Sequence, residues 1–176
     1  MRLRVLLPVA VAGLLLPSDE GRALPAPARV ARYDLRVALD AENHQLSGSG
    51  TIRWTNPSDV PVSELKLHLY WNAFRNNRST FFRESGGRLR RDQADLEEGF
   101  GSIDVTSLTL GARDLRKDWR FEAPDDGNPE DRTLLSVPLP QAVPPGGSVT
   151  LEVAWKGRIP KVFARAGYAR DFHMIG

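Results

Sequence analysis

Three histidines, His44, His68 and His173, are the side chains that could hold a catalytic transition metal in this 176-residue sequence, because cysteine is absent. A hydrolytic zinc site on a helix needs two histidines four residues apart with an adjacent glutamate as the base, so that both imidazoles face one metal. These three lie far apart in the sequence, and none is followed by glutamate. Remote histidines can converge in space, but we expect ordinary strand or surface histidines. The sequence predicts no catalytic residue, no metal ligand and no cofactor in this chain.

The acidic segment DDGNPED, residues 125–131, is the second place where ligand chemistry is concentrated. Its carboxylates and its amide are oxygen ligands of the kind that calcium takes. The segment lacks the glycine placement and the terminal glutamate of a helix–loop–helix calcium site, and its Pro, Gly, Asp and Asn residues are typical of turns. We predict a turn. A calcium-dependent adhesion domain is the weaker alternative.

An arginine-rich stretch over residues 75–91 includes aromatic residues and could contact phosphates. Acidic side chains in the same loop can neutralise it locally, so we expect a solvated, self-compensated loop. The net charge of +2, from 24 basic and 22 acidic residues, gives no global field to attract nucleic acid or an anionic membrane. We therefore predict no nucleic-acid partner. The charged residues concerned are Arg75, Arg78, Arg83, Arg88, Arg90 and Arg91, with Glu84, Asp92, Asp95, Glu97 and Glu98.

The segment HLYWNAFRNNRSTFF, residues 68–82, runs from an alternating pattern directly into aromatic, asparagine and arginine residues. Large rings at the end of a strand bury much apolar surface, so we predict that they close the end of a hydrophobic core. The alternative is that the rings stay exposed and stack on sugars, as in a carbohydrate-binding or adhesion module. The predicted structural aromatic cluster is Trp54, Tyr70, Trp71 and Phe74, with Phe81 and Phe82 after the loop.

Strands must position these residues, because apolar residues recur at every second position in several segments. The first two segments, joined by the polar turn AENHQ, predict a hairpin whose first strand is half-buried. Glycines at Gly48 and Gly50 indicate that a backbone or a large side chain packs close to the second strand. A turn at NPSDVP, residues 56–61, precedes a third strand. The alternating sets are Tyr33, Leu35, Val37 and Leu39; Leu46, Gly48, Gly50, Ile52 and Trp54; and Leu65, Leu67, Leu69 and Trp71.

The second half of the chain continues the pattern of short strands. A change of phase between Val105 and Leu108 predicts a β-bulge. Pro138 and Pro140 place the strand that contains them at a sheet edge or a strand end. We predict an all-β fold, an antiparallel β-sandwich, with a helical turn only at Gln93 to Glu98. The remaining strand residues are Ile103, Val105, Leu108 and Leu110; Trp119 and Phe121; Leu134, Leu135 and Val137; and Val149, Leu151, Val153 and Trp155.

The N-terminal residues have the three parts of a secretory signal. Arg2 and Arg4 precede an apolar run from Val5 to Leu16, which is too short to span a bilayer, and small residues follow near Ala23. We expect residues 1–23 to be a signal peptide and residues 24–176 to form one domain with no stable membrane span. The protein is then exported, periplasmic or secreted, from a bacterial source. A buried first helix or an uncleaved anchor is the alternative.

Four segments together resemble the N-terminal domain of the aminopeptidase N family of zinc metallopeptidases. They are LKLHLYWNAFRNNRSTFFRES, GSIDVTSLTLGA, DDGNPEDRTLLSVPLPQAVPPGGSVTLEVAWKGRIP and VFARAGYARDFHMIG, in the family's order and over nearly the whole mature chain. The resemblance implies a saddle-like β-sandwich followed by a catalytic domain that holds zinc through a H-E-x-x-H helix. It also implies that this chain is truncated before that domain, incomplete at its C-terminal end and inactive alone.

The same resemblance implies partners and a site. The partners are the downstream catalytic metallopeptidase domain and, in the full-length parent, peptide substrates and zinc. Phe172, Met174 and Gly176 would then lie at a wall of the substrate cleft. A free-standing β-sandwich that binds carbohydrate or acts in adhesion remains the alternative function.

Overall fold

Antiparallel strands dominate the computed structural model, which describes residues 29–86, 99–161 and 166–175. The sequence forms strands where apolar and polar residues alternate, because alternate side chains point to opposite faces. The strands are β1 (Ala31–Asp40), β2 (Gln45–Thr55), β3 (Val62–His68), β4 (Ser102–Leu110), β5 (Arg113–Asp114), β6 (Arg120–Glu122), β7 (Leu134–Val143), β8 (Ser148–Arg158), β9 (Gly167–Ala169) and β10 (Phe172–Met174). A 3₁₀ helix (Tyr70–Phe74) and α1 (Thr80–Glu84) lie between β3 and β4.

Two sheets and a hairpin organise these strands. The larger sheet has the order β1-β2-β8-β4-β5, the smaller one has the order β3-β7-β6, and β9 pairs with β10. Every pairing is antiparallel. The prediction of an all-β antiparallel fold is therefore confirmed.

Both sheets contribute to one hydrophobic cluster. Leu108 and Leu151 enter it from the larger sheet and Leu135 and Val137 from the smaller, each at most 1% exposed. Burying a side chain of this size stabilises the fold by roughly 1.5–3 kcal/mol. The alternating residues of β8 face this cluster as predicted, since Val149 and Val153 are buried beside Leu151. The core is therefore formed by residues that the sequence pattern assigns to inward faces.

The first strand departs from the prediction of a half-buried face. The strand and its hairpin with β2 form as expected, but all four of its alternating apolar residues are exposed, by 40–63%. Two causes act together: β1 is at the edge of its sheet, and Leu35 and Val37 stand opposite Gly50 and Gly48, which have no side chains to pack against them. The exposed residues are Tyr33, Leu35, Val37 and Leu39.

The two glycines of β2 mark close approaches, as the sequence predicted. A Cβ at Gly48 would lie 2.3 Å from the Trp155 ring, so the indole covers this glycine. A Cβ at Gly50 would lie 2.0 Å from the backbone oxygen of Asp34, and Gly50 has a φ of +154°. A side chain at either position would collide with its neighbour.

The third strand ends earlier than its alternation predicts. It stops at His68, and Trp71 lies in the 3₁₀ helix instead of in a strand. The backbone N–H of Leu69 donates to Thr133 O, and the chain then turns, with Asn72 N–H donating to Leu69 O. Leu69 itself is buried, so the apolar pattern reports its burial correctly but not its backbone conformation.

The predicted bulge and the predicted edge strand have different outcomes. The register between β4 and β8 shifts between Val105 and Ser107, which confirms the bulge. The proline-containing strand β7 is the central strand of its sheet, so its assignment to an edge is wrong. The prolines are tolerated because β6 pairs only with Leu134 to Ser136, which leaves Pro138 and Pro140 paired on one side at most.

The predicted signal peptide at residues 1–23 and the predicted helical turn at Gln93 to Glu98 lie outside the described ranges. Within the ranges that the structure describes, no helix is both long enough and apolar enough to cross a bilayer.

Candidate functional site

The 3₁₀ helix at Tyr70–Phe74 forms around a fully buried asparagine, Asn72. Its side-chain amide donates to Arg132 O over 2.9 Å, just before the smaller sheet's central strand. Its carbonyl oxygen accepts from Ile103 N, in β4 of the larger sheet, over 3.0 Å. Asn72 thus joins the aromatic segment to both sheets, a role that the sequence analysis missed because neither partner is near in sequence.

The aromatic rings of this segment separate into a packed group and an exposed one. Phe82 is 1% exposed and makes edge-to-face contacts with Phe81 and Phe100, at centroid distances of 5.5 and 6.0 Å. Phe74 contacts Phe81 in the same way at 5.3 Å. Trp71 covers a glycine, because a Cβ at Gly157 would lie 3.1 Å from its ring.

Tyr70 differs from these packed rings in its surroundings. It is 71% exposed and stacks on His68, with ring centroids 3.9 Å apart. Trp54 is half-buried and packs against the hydrophobic core from β2. The four residues of the predicted cluster therefore have different neighbours: Trp54 packs on the core, Tyr70 stacks on His68, Trp71 covers Gly157 and Phe74 contacts Phe81.

The acidic segment forms the predicted turn, and its central carboxylate is engaged by the protein. Asp126 accepts hydrogen bonds from the Thr80 hydroxyl at 3.1 Å and from Asn128 N at 3.0 Å. The buried Asn128 amide also donates to Arg78 O over 2.8 Å, which fastens the turn to the start of α1. In the part of the chain that the structure describes, no group of three or more His, Asp or Glu side chains is arranged to hold a metal ion.

Three described arginines of this stretch pair with acidic residues on other elements. Arg75 contacts Asp104 of β4 at 2.7 Å, and Arg78 contacts Glu130 of the acidic turn at 3.3 Å. Arg83 lies 3.8 Å from the carboxylate of Asp126. These three arginines are thus compensated by carboxylates of other elements. Compensation by the acidic residues of their own loop stays a prediction. Arg88, Arg90 and Arg91, with Asp92, Asp95, Glu97 and Glu98, lie outside the described residues.

Four charged side chains form a network on the surface of the smaller sheet. Hydrogen bonds from Lys66, at 2.5 Å, and from Arg120, at 2.6 Å, hold the pKa of Glu64 at about 2. Lys66 also contacts Glu122, and the hydrogen bond from Lys66 is the main cause of the lowered pKa of Glu122. These groups lie on β3 and β6, the two strands that flank β7, and they face the surface as structural ion pairs do instead of converging in a cleft as catalytic groups would.

The C-terminal hairpin β9–β10 carries the predicted cleft residues on its exposed face. Phe172 and Met174 are 68% and 43% exposed, and Ile175 is 53% exposed. His173 lies between them and is half-buried, since successive side chains of a strand point to opposite faces. Gly176, the third predicted cleft residue, is outside the described residues.

His173 docks this hairpin onto the turn between β1 and β2. Its Nε2 lies 2.9 Å from Nδ1 of His44, and the His44 ring stacks on Tyr168 at a centroid distance of 3.5 Å. The two imidazole centroids are 5.2 Å apart. Two histidines that lie 129 residues apart thus meet, which their sequence spacing gave no means of predicting. His68, on β3, has a different neighbour, Tyr70.

The geometry of the histidine pair is that of a hydrogen bond. Each ring nitrogen lies about 1.1–1.2 Å from its ring centre, so a 2.9 Å separation between nitrogens that point at each other gives the observed centroid distance. A metal ion bound by both histidines would need both nitrogen lone pairs to point at the metal, about 2.0–2.1 Å from each nitrogen, and not at each other. The pair therefore fastens the hairpin through one shared proton.

Comparison with known proteins adds no family assignment. No protein-family model matches the chain, and no curated protein matches it either.

Proposed function

We propose that this chain is the non-catalytic N-terminal support domain of an exported zinc aminopeptidase. The proposal begins from the four segments that resemble the N-terminal domain of that family. It is supported by the antiparallel all-β fold, since two sheets that share one core are compatible with a β-sandwich. Peptide hydrolysis and zinc binding would belong to a downstream metallopeptidase domain.

The observation that carries the proposal is the two-faced C-terminal hairpin. Its inner face is fixed, because Tyr168 N–H donates to Pro160 O and His173 is bonded to His44. Its outer face presents Phe172 and Met174 to solvent. A rigid strand with exposed apolar side chains is suited to contact a following domain or the apolar side chains of a peptide.

The division of labour follows from these contacts. The hairpin supplies shape and apolar surface, and the His44–His173 hydrogen bond, the stacking of His44 on Tyr168 and the bond from Tyr168 N–H to Pro160 O hold it in place. The proposal assigns no proton transfer or metal ligation to this chain, so the chain alone is expected to cleave no peptide. In the parent, Phe172 and Met174 would form part of the cleft wall.

A two-part experiment tests the proposal. First, the reading frame downstream of Gly176 is expected to encode H-E-x-x-H, and the extended protein to hydrolyse amino-acid anilides while the 176-residue chain does not. Second, Phe172→Ser in the extended protein is expected to reduce kcat/KM by about tenfold, the loss of roughly one apolar contact of 1.4 kcal/mol. Phe121→Ser is the matched control, because Phe121 is 38% exposed and lies on β6 of the smaller sheet, not on the C-terminal hairpin.

The result that would overturn the proposal is a stop codon with no metallopeptidase frame, or aminopeptidase activity in the 176-residue chain itself. Equal effects of the two serine substitutions would remove the cleft-wall assignment and leave only the support role.

One observation favours the second candidate, a carbohydrate-binding module. Tyr70 and His68 form an exposed stacked pair beside the end of β3, and an exposed ring can stack on a sugar face. Under this alternative the chain binds a glycan, Tyr70→Ala abolishes the binding and Phe121→Ala leaves it unchanged. A glycan array without a Tyr70-dependent signal would reject this candidate.

A further inference from the structure

The strand β1 is an unprotected sheet edge. It runs for ten residues in constant register with β2, it contains no proline, and no other described strand pairs with its outer side. Natural proteins usually protect such an edge with bulges, prolines or short strands, because unpaired backbone groups invite another strand. The side chains of β1 therefore decide which strand can add to it.

One face of β1 is apolar and the other carries charges of both signs. The apolar face is the exposed row Tyr33, Leu35, Val37 and Leu39. On the charged face, Asp34 and Arg36 stand opposite Thr51 and Ser49 of β2, which are uncharged. Neither charge takes part in an ion pair within the described residues. Both charges thus remain available to a strand added at the edge.

We propose that β1 pairs with β1 of a second copy of this chain, antiparallel, about a twofold axis at Leu35. This register places Asp34 opposite Arg36 of the second copy, and the twofold axis repeats that ion pair. On the apolar face, Leu35 meets Leu35 and Tyr33 meets Val37. Opposite charges and apolar pairs directly across antiparallel strands are both stabilising.

The neighbouring registers are disfavoured by the same residues. A slip of one position sets the apolar face of one copy against the charged face of the other. Moving the twofold axis to residue 34 opposes Asp34 with Asp34, and moving it to residue 36 opposes Arg36 with Arg36. Like charges directly opposite each other are destabilising. The axis at Leu35 gives full overlap of the strands with no like-charge pair.

The resulting contact closes on itself. An isologous strand pair consumes both β1 edges, and the other edge of the sheet is β5, which has only two residues. The product is a dimer with one sheet continued across it, not a fibre. Because a single strand pair buries less than the ~1,200 Å² of a standard stable interface, the dimer is expected to be weak and concentration-dependent.

Charge reversal tests the proposal on the full-length chain by sedimentation velocity over a concentration series. Asp34→Arg and Arg36→Asp are each expected to weaken the dimer by about tenfold, since each turns two unlike pairs into like pairs. The double variant D34R/R36D restores the pairing in the opposite sense and is expected to associate as the parent does. An equimolar mixture of the two single variants is expected to form heterodimers.

Two controls accompany this cycle. Arg32 lies on the same face but stands opposite Ala38 of the second copy, so Arg32→Asp is expected to change the affinity less than twofold. Every variant shares residues 1–28, so differences among variants report on β1. Unchanged melting temperatures would show that the substitutions leave the fold intact.

Three outcomes would overturn the proposal. The first is a parent chain that remains monomeric up to about 1 mM. The second is single variants that associate as strongly as the parent, which would place association on another surface such as Phe172 and Met174. The third is a double variant that associates no better than the single variants, because the proposed register depends on opposite charges that face each other and not on the number of charges.

Discussion

Removal of the Asn72 side chain is expected to weaken the whole fold, because this one amide joins β4 of the larger sheet to the segment that leads into β7 of the smaller sheet. The residue is 0% exposed, and its two bonds, to Arg132 O and from Ile103 N, are 2.9 and 3.0 Å long. Each bond contributes about 1 kcal/mol, and a buried partner left unsatisfied costs about 1–3 kcal/mol. We expect Asn72→Ala to lower the free energy of unfolding by about 2–4 kcal/mol, which lowers the Tm by roughly 5–15 °C for a domain of this size.

Urea denaturation and calorimetry measure this loss, and a second asparagine provides the control. Asn43 is exposed, and its side chain bonds only to Asp40 in a surface turn, over 2.8 Å. Asn43→Ala is expected to cost no more than about 0.5 kcal/mol. Equal losses for the two variants, or an Asn72→Ala variant as stable as the parent, would refute the role of Asn72.

The chemistry of the same site gives a sharper variant, Asn72→Asp. The ionised carboxylate keeps the acceptor for Ile103 N but cannot donate to Arg132 O, and it places a charge where no water reaches. Burial raises the pKa of such a carboxyl group, and its protonated form can donate again. The variant should therefore lose at least as much stability as Asn72→Ala at pH 7 and recover part of it as the pH falls.

Three further predictions follow from other contacts. Ion pairing lowers the pKa of Glu64 from 4.5 to about 2, so the contribution of this pairing to stability is present above pH 4.5 and is lost as the pH falls toward 2. Over that window the urea midpoint of Glu64→Gln should fall less steeply than that of the parent. Parallel curves for the two proteins would contradict the prediction. Gly50→Ala should be more destabilising than Gly48→Ala in thermal melts. The alanine Cβ at position 50 would meet the Asp34 backbone, whereas that at position 48 would meet the Trp155 side chain. The reverse order would show that the indole is the more rigid obstacle. Asp126→Ala should lower the free energy of unfolding by about 1–2 kcal/mol, because its hydrogen bonds to Thr80 and Asn128 are lost. Calcium should leave the Tm of the parent unchanged. A calcium-dependent rise in the Tm of the parent that the variant lacks would instead support the calcium site.

Local chemistry explains most of the successful predictions. The turn at Asn56 was predictable because its residue types favour turns, and its side-chain amide indeed donates to Val60 O, four residues along the chain. The bulge in β4 was predictable because an extra residue changes the phase of a two-residue period. Both features depend on interactions that span few residues or on a pattern within one strand.

The candidate site was predictable only in part. Phe172 and Met174 were named through a resemblance, and their exposure follows from the half-buried His173 between them. The bond from His173 to His44 was not predictable, since the two residues are 129 positions apart and meet through the docking of one hairpin onto another. The exposure of Tyr70 was missed because its ring was predicted to close the core with the other aromatic rings, although the alternation places Tyr70 on the face opposite Leu69 and Trp71.

The sequence by itself determined which residues share a face, where the chain turns and that the fold is β, because these depend on a two-residue period and on backbone preferences of single residues. Tertiary structure alone decided what each face meets. The alternation in β1 and in β8 is alike, yet Leu151 is 1% exposed at the centre of its sheet and Leu35 is 40% exposed at the edge. Burial is a property of neighbours, and the order of strands in a sheet brings together residues whose separation in sequence carries no record of the contact.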